Sequence, residues 1–154
     1  MASAAQTAAG STLYVSAALP ATYDKAGFEA LVWTEVLELT TIPSFGKVYN
    51  IVNHNPLGTR QTIKRKGSYD NGSIEVPYAY DITTVGGDPG QALLLSGLDD
   101  DDSYAFWVDV KGLKAHYFTG QVASAPMEVG SVDSIIMKTT NIAIDNDVLE
   151  EEAP

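Results

Sequence analysis

The stretch SIEVPYAYD, residues 73–81, alternates strictly, with Ile74, Val76, Tyr78 and Tyr80 on one side and Glu75, Pro77, Ala79 and Asp81 on the other. A period of two is that of a half-buried β-strand, because successive side chains of an extended chain point to opposite faces. Pro77 has no N–H to give to a ladder, so the strand belongs at a sheet edge or at a bulge. An open edge displays unpaired main-chain groups and needs a cover or a partner.

The same period recurs on either side. Leu13, Val15 and Ala17 alternate with Tyr14 and Ser16, a second strand lies within WTEVLELTTI (33–42), and KVYNIVN (47–53) is a third. SYAFWVDV places Tyr104, Phe106, Val108 and Val110 on one side, and AHYFTGQV (115–122) follows a turn around Gly112, which predicts a hairpin. VDSIIMKTTNIAID (132–145), rich in Ile and Thr, supplies the closing strands.

One segment breaks the pattern. In DPGQALLLSG (88–97) Asp88 is an N-cap, Pro89 suits the first helical position and Gln91 stands where a capping box needs it. Ala92 to Leu95 favour helix and Gly97 can end it. So short a helix must pack on the sheet to persist. The expectation is a mainly β domain, a sandwich or barrel with one short flanking helix. It spans 13–148, between a flexible arm at 1–12 and an acidic tail at 149–154 that is also expected to be flexible.

Composition excludes several functions. The 154 residues suffice for one domain with its own core, and the absence of cysteine removes disulfides, thiolate metal sites and thiol nucleophiles. His54 and His116 have no metal-ligand spacing, and VGGDPG (85–90) lacks the Lys-Ser/Thr end of a phosphate loop. Asp99 to Asp102 lack the ligand spacing of a calcium loop and read as solvated charge. No cofactor, metal or catalytic constellation is nominated, and no apolar run approaches a membrane span. The start MASAAQTAAGST is not a secretory signal and reads as that of a protein made in a cytoplasm.

Charge raises the sharper question. Nine Lys and Arg stand against twenty Asp and Glu, for a net charge of −11, yet Lys64, Arg65 and Lys66 are consecutive. Nucleic-acid affinity comes mainly from cations that neutralise phosphates, so so acidic a chain does not grip DNA. Gly67-Ser68 and Asn71-Gly72 read as turns beside the cluster.

In order, GSTLYVS, GFEALVWTEVLELTTIPSFG, NHNPLGTRQTIKRKGSYDNGSIEV, YDITTVGGDPGQALLLSG, YAFWVDV and YFTGQVASAP resemble the major tail tube proteins of long-tailed bacteriophages, in particular the non-contractile, lambda-like siphoviruses. The resemblance covers residues 10–148 and is most specific at KGSYDNGSIEV and the DPGQALLLSG helix. It implies the phage tail tube fold and hexameric rings that stack into a hollow tube lined by a continuous β-barrel. DNA would pass through without specific binding, in a virion tail assembled in the host cytoplasm. The implied partners are copies of the chain itself, a tape measure protein, a tail terminator and distal tail or baseplate proteins, with no membrane.

Two surfaces then become candidates. Arg60, Lys64, Arg65, Lys66, Gly67 and Asp70 lie in the segment that the resemblance sends to an adjacent ring, where acidic residues would meet it. Ile74, Val76, Tyr78 and Tyr80 mark an edge strand for subunit pairing. Gene transfer agents and the inner tube of type VI secretion share the implied architecture. A monomeric β-sandwich binding module, with Trp33, Tyr69 and Trp107 as an aromatic platform, is the reading from another class.

Overall fold

Ten strands and two helices carry the chain in the computed structural model, which describes residues 4–154. They run β1 (Thr12–Ser16), α1 (Lys25–Glu29), β2 (Thr34–Val36), β3 (Val48–His54), β4 (Ile63–Asp70), β5 (Ser73–Ala79) and α2 (Pro89–Ser96). β6 (Tyr104–Val110), β7 (Lys114–Ser124), β8 (Met127–Glu128), β9 (Met137–Ile144) and β10 (Leu149–Glu152) complete the order. Eight strands form one sheet in the order β2-β1-β6-β7-β9-β5, with β10 added to β7 and β8 to β9, while β3 and β4 pair only with each other. Every pairing is antiparallel.

The sheet curls until its two edges meet. On leaving β2 at one edge, the chain bonds to β5 at the other: Thr40 N–H donates to Pro77 O and Ala79 N–H donates to Glu38 O, both at 3.0 Å. Pro77 and Ala79 therefore turn their main-chain groups away from β9. Pro77 sits on the outer edge, where its missing N–H costs nothing. The same alternation turns Ser73 and Glu75 outward, and among the described residues no strand pairs with them there.

Alternation also sorts the core. Leu13, Val15, Ile74, Val76, Tyr78, Phe106, Val108, Phe118 and Ile142 are buried inside the curl, capped by Leu94 of α2. Buried Tyr78 keeps its hydroxyl 3.1 Å from that of Thr140, so its one polar atom is satisfied.

The helix begins at Asp88, whose carboxylate accepts from Gln91 N–H at 3.2 Å and from Leu37 N–H at 3.4 Å. Gln91 does not return to the cap as a capping box would. Its side chain, 1% exposed, donates to Leu37 O at 3.1 Å and Ala79 O at 2.9 Å, and accepts from Asp81 N–H at 3.0 Å. One side chain thus joins the segments that close the curl. Gly90 allows the helix to lie this close, since a Cβ there would stand 2.0 Å from Glu35 O.

A second helix, α1, was not expected. Asp24 caps it by accepting from Gly27 N–H at 2.7 Å, and five residues suffice because Phe28 is fully buried on the outer face of the sheet. That burial contributes about 1.5–3 kcal/mol, where an isolated turn would not hold. Phe28 packs on Tyr117 at 5.1 Å between ring centroids, with Ala105, Ala115, Trp33 and Trp107 around them. Trp33 and Trp107 therefore belong to a second core, while Tyr69 lies on β4 beside Tyr49, so the three aromatics form no common platform.

Burial pushes the phenols of Tyr117 and Tyr23 up to about 12. A raised phenol favours the neutral form, so its contribution to stability is complete below the usual value near 10 and is lost as pH rises toward 12. Burial raises the Tyr78 phenol as well, so ultraviolet titration is expected to show three of the eight tyrosines, Tyr23, Tyr78 and Tyr117, ionising late, together with loss of folded structure. All eight ionising near 10 in an intact fold would contradict this.

The C-terminal end departs from expectation and the described part of the N-terminal arm does not. Residues 1–3 of the expected arm lie outside the described residues, and 4–11 contain no helix or strand. The tail is not free: Leu149 to Glu152 pair with Tyr117 to Lys114, and Ala153 N–H donates to Leu113 O at 3.2 Å. β7 outruns β9 and leaves that edge vacant, and Leu149 anchors the added strand by packing on the second core. Among the described residues no helix is long and apolar enough to cross a membrane.

Candidate assembly surface

β3 and β4 form a ribbon with no core of its own. Every residue of β3 is exposed, as is every residue of β4 after Ile63. Val48, Ile51 and Val52 are more than half exposed, and Leu57 in the connecting loop is fully so. A two-stranded ribbon is marginal in water by itself, and exposed aliphatic side chains in such number make it the candidate interaction surface.

The ribbon's register shifts between Tyr49 and Ile51. Gly67 and Ser68, expected to turn the chain, lie inside β4 at this bulge, where Ser68 Oγ accepts from Asn50 Nδ2 at 3.1 Å. A Cβ on Gly67 would come within 3.2 Å of Val52 Cγ2. The expected turn at Asn71-Gly72 does form: Asp70 accepts from Gly72 N–H at 2.9 Å, and Gly72 has φ +74°.

Five of the nine cations, Lys47, Arg60, Lys64, Arg65 and Lys66, lie on or beside this ribbon, and no acid occurs from Leu39 to Tyr69. The cations of β4 are in a strand and alternate in face, with Lys64 and Lys66 on one side and Arg65 on the other. Lys66 Nζ stands 4.9 Å from the Tyr49 ring centroid and Lys47 Nζ 4.3 Å from that of Tyr69. Lys47 also bridges to Asp147 at 3.6 Å. Among the described residues Arg60, Lys64, Arg65 and Lys66 are in no ion pair.

Asp147 ties the ribbon's root to the body. Besides Lys47, its carboxylate accepts from Asn71 Nδ2 at 3.4 Å, and its main-chain oxygen accepts from the Tyr23 hydroxyl.

The second candidate surface is divided. Ile74, Val76 and Tyr78 point into the core, and Tyr80, just past β5, packs under Lys138 Nζ at 4.6 Å. What β5 leaves outside is its main-chain edge at Ser73 and Glu75. Two features escaped sequence reasoning: Gln91 as the stitch across the closure, and the acidic strand Glu150 to Glu152. Among the described residues no cluster of His, Asp and Glu could hold a metal ion.

Solved structures match this architecture over nearly its whole length. A chain of the anti-feeding prophage baseplate, six-fold symmetrised, superposes with a TM-score of 0.67 at 8% identity, covering 98% of this chain and 97% of that one. The SPP1 tail tube gives 0.61 at 15% identity, over 93% and 77%. The chain has the tail tube fold. A chain from the tail of an empty gene transfer agent particle, in C6 symmetry, gives 0.66 at 12% identity, over 96% and 99%. No family model and no curated protein matches the sequence. The likeness to these structures is thus one of fold, with 8–15% of residues identical.

Proposed function

We propose that the protein is a structural subunit of a long, non-contractile bacteriophage tail, as in siphoviruses, without catalytic activity. Hexameric rings stack into the hollow tube through which the genome is ejected. The carrying observation is a coreless cationic ribbon on a body of tail tube fold whose net charge is −11. The six-fold symmetry of two of the similar assemblies supports the ring number. An acidic conduit avoids the phosphate contacts by which a basic lumen would hold its cargo. The β5 edge at Ser73 and Glu75 pairs with the neighbour within a ring, which removes the liability of an open strand. The ribbon reaches the next ring.

In this reading the subunit resides in the virion tail, is assembled in the host cytoplasm, and meets a tape measure protein, a terminator and distal tail or baseplate proteins. A gene transfer agent or contractile injection machine is the second reading, favoured by the likeness to such tail and baseplate chains. A sheath gene beside the coding sequence would select the contractile machine. Size-exclusion chromatography with electron microscopy of the purified protein tests the tube: six-fold rings or hollow tubes are expected, and a compact monomer at all concentrations overturns it.

A further inference from the structure

We infer that the open edge of β10 is where β4 of a neighbouring copy docks, strand against strand, with Arg65 opposite Glu151. The inference rests on the tube reading and names the surface that receives the ribbon.

β10 uses one edge only. Ala153 N–H is bonded to Leu113 O, so by alternation Glu150 and Glu152 direct their main-chain groups away from β7. Among the described residues nothing pairs with that edge. β4 likewise pairs with β3 alone. Two strands with free edges can add to one another through main-chain hydrogen bonds, and side-chain pattern then chooses the register.

The patterns match residue by residue. Three consecutive cations, Lys64, Arg65 and Lys66, meet three consecutive acids, Glu150, Glu151 and Glu152. With Arg65 opposite Glu151, both lysines fall opposite Glu150 and Glu152 on the other face, whichever way the strands run. A slip by one residue turns Arg65 to the wrong face and leaves a charge unmatched at each end.

Local charge agrees. Carboxylates of Glu29, Asp109, Glu150, Glu151 and Glu152 surround this end of the sheet, where the cations are Lys25, 3.7 Å from Glu29, and Lys114, 2.6 Å from Glu152. Beneath β10, Tyr117 is fully buried and its hydroxyl has no hydrogen-bond partner, nor has Asp109 Oδ1. Glu151 faces this side with Leu149, so Arg65, whose guanidinium donates to Lys64 O at 3.1 Å in the single subunit, would arrive on the face of the sheet beneath which these two oxygens lie. Asp99 to Asp102 are a poorer receiver. Asp100 already accepts from Asp102 N–H and the Tyr104 hydroxyl, and the segment offers no strand edge.

The test is a charge exchange. Glu150→Lys, Glu151→Lys and Glu152→Lys together are expected to leave a folded monomer by circular dichroism and to cut pelletable tube at least about tenfold. Adding Lys64→Glu, Arg65→Glu and Lys66→Glu to the same chain is expected to restore it. Because the chain has no cysteine, Arg65→Cys with Glu151→Cys gives a second readout, a ladder of disulfide-linked subunits on a non-reducing gel. If the β10 variant polymerises like wild type while the β4 variant does not, or if exchange fails to restore tubes and no ladder forms, the inference is overturned and the tube reading stands. A wild-type chain that never polymerises overturns the tube reading, and this inference with it.

Discussion

Replacing Gln91 with leucine is expected to cost about 3–5 kcal/mol of stability in urea denaturation, with the slope of the transition unchanged. Leucine nearly matches the volume, so the effect isolates the hydrogen bonds. Leu37 O, Ala79 O and Asp81 N–H all lose their partner at once. Each group left unsatisfied away from water costs about 1–3 kcal/mol, and partial solvation at this rim keeps the sum toward the lower end. These groups belong to the segments by which the curled sheet closes, so faster hydrogen exchange at the Asp81 amide should accompany the loss. A cost under about 1 kcal/mol would show that the closure holds without its stitch.

The second large effect is on assembly. Reversing Lys64, Arg65 and Lys66 to glutamate is expected to abolish tubes in electron micrographs while stability moves by less than about 0.5 kcal/mol, because all three side chains are exposed. Single surface ion pairs are worth about 0.2–1 kcal/mol. Three per contact, turned from attraction to repulsion, exceed the 1.4 kcal/mol that raises an assembly threshold about tenfold. Screening over a Debye length of about 8 Å at physiological salt weakens the repulsion without supplying the lost attraction, so moderate salt should not rescue the variant. Tubes as abundant as wild type would remove the ribbon from ring stacking.

Much of the fold was legible because period two is a backbone property. It placed Ile74, Val76 and Tyr78 inward and Pro77 at an edge, and it paired β6 with β7. What was illegible depended on distant partners. Glu150 to Glu152 look like a solvated tail until β7 is seen to leave a vacant edge beside them. Five residues of α1 carry too little periodicity to declare a helix, which exists because Phe28 finds Tyr117. Gln91 occupies a capping-box position, yet its amide is drawn to two carbonyls that only the closed sheet brings near. At the candidate surface the cation cluster was visible, whereas its placement within a strand was hidden by Gly67-Ser68, whose turn chemistry serves equally for a bulge.

The root of the ribbon has a mechanical meaning. Seven residues of β3 extend roughly 23 Å at about 3.3 Å each, and the lever they form is fastened to the body where β4 turns into β5, by Ile144 N–H donating to Gly72 O and by the polar contacts around Asp147. Force applied at the far end is multiplied at that fulcrum, while the closed sheet behind it stays rigid. On the proposed tube reading, a column built from such parts would bend at its joints, between stiff segments, and Asp147, by holding Lys47 and Asn71, would stiffen them.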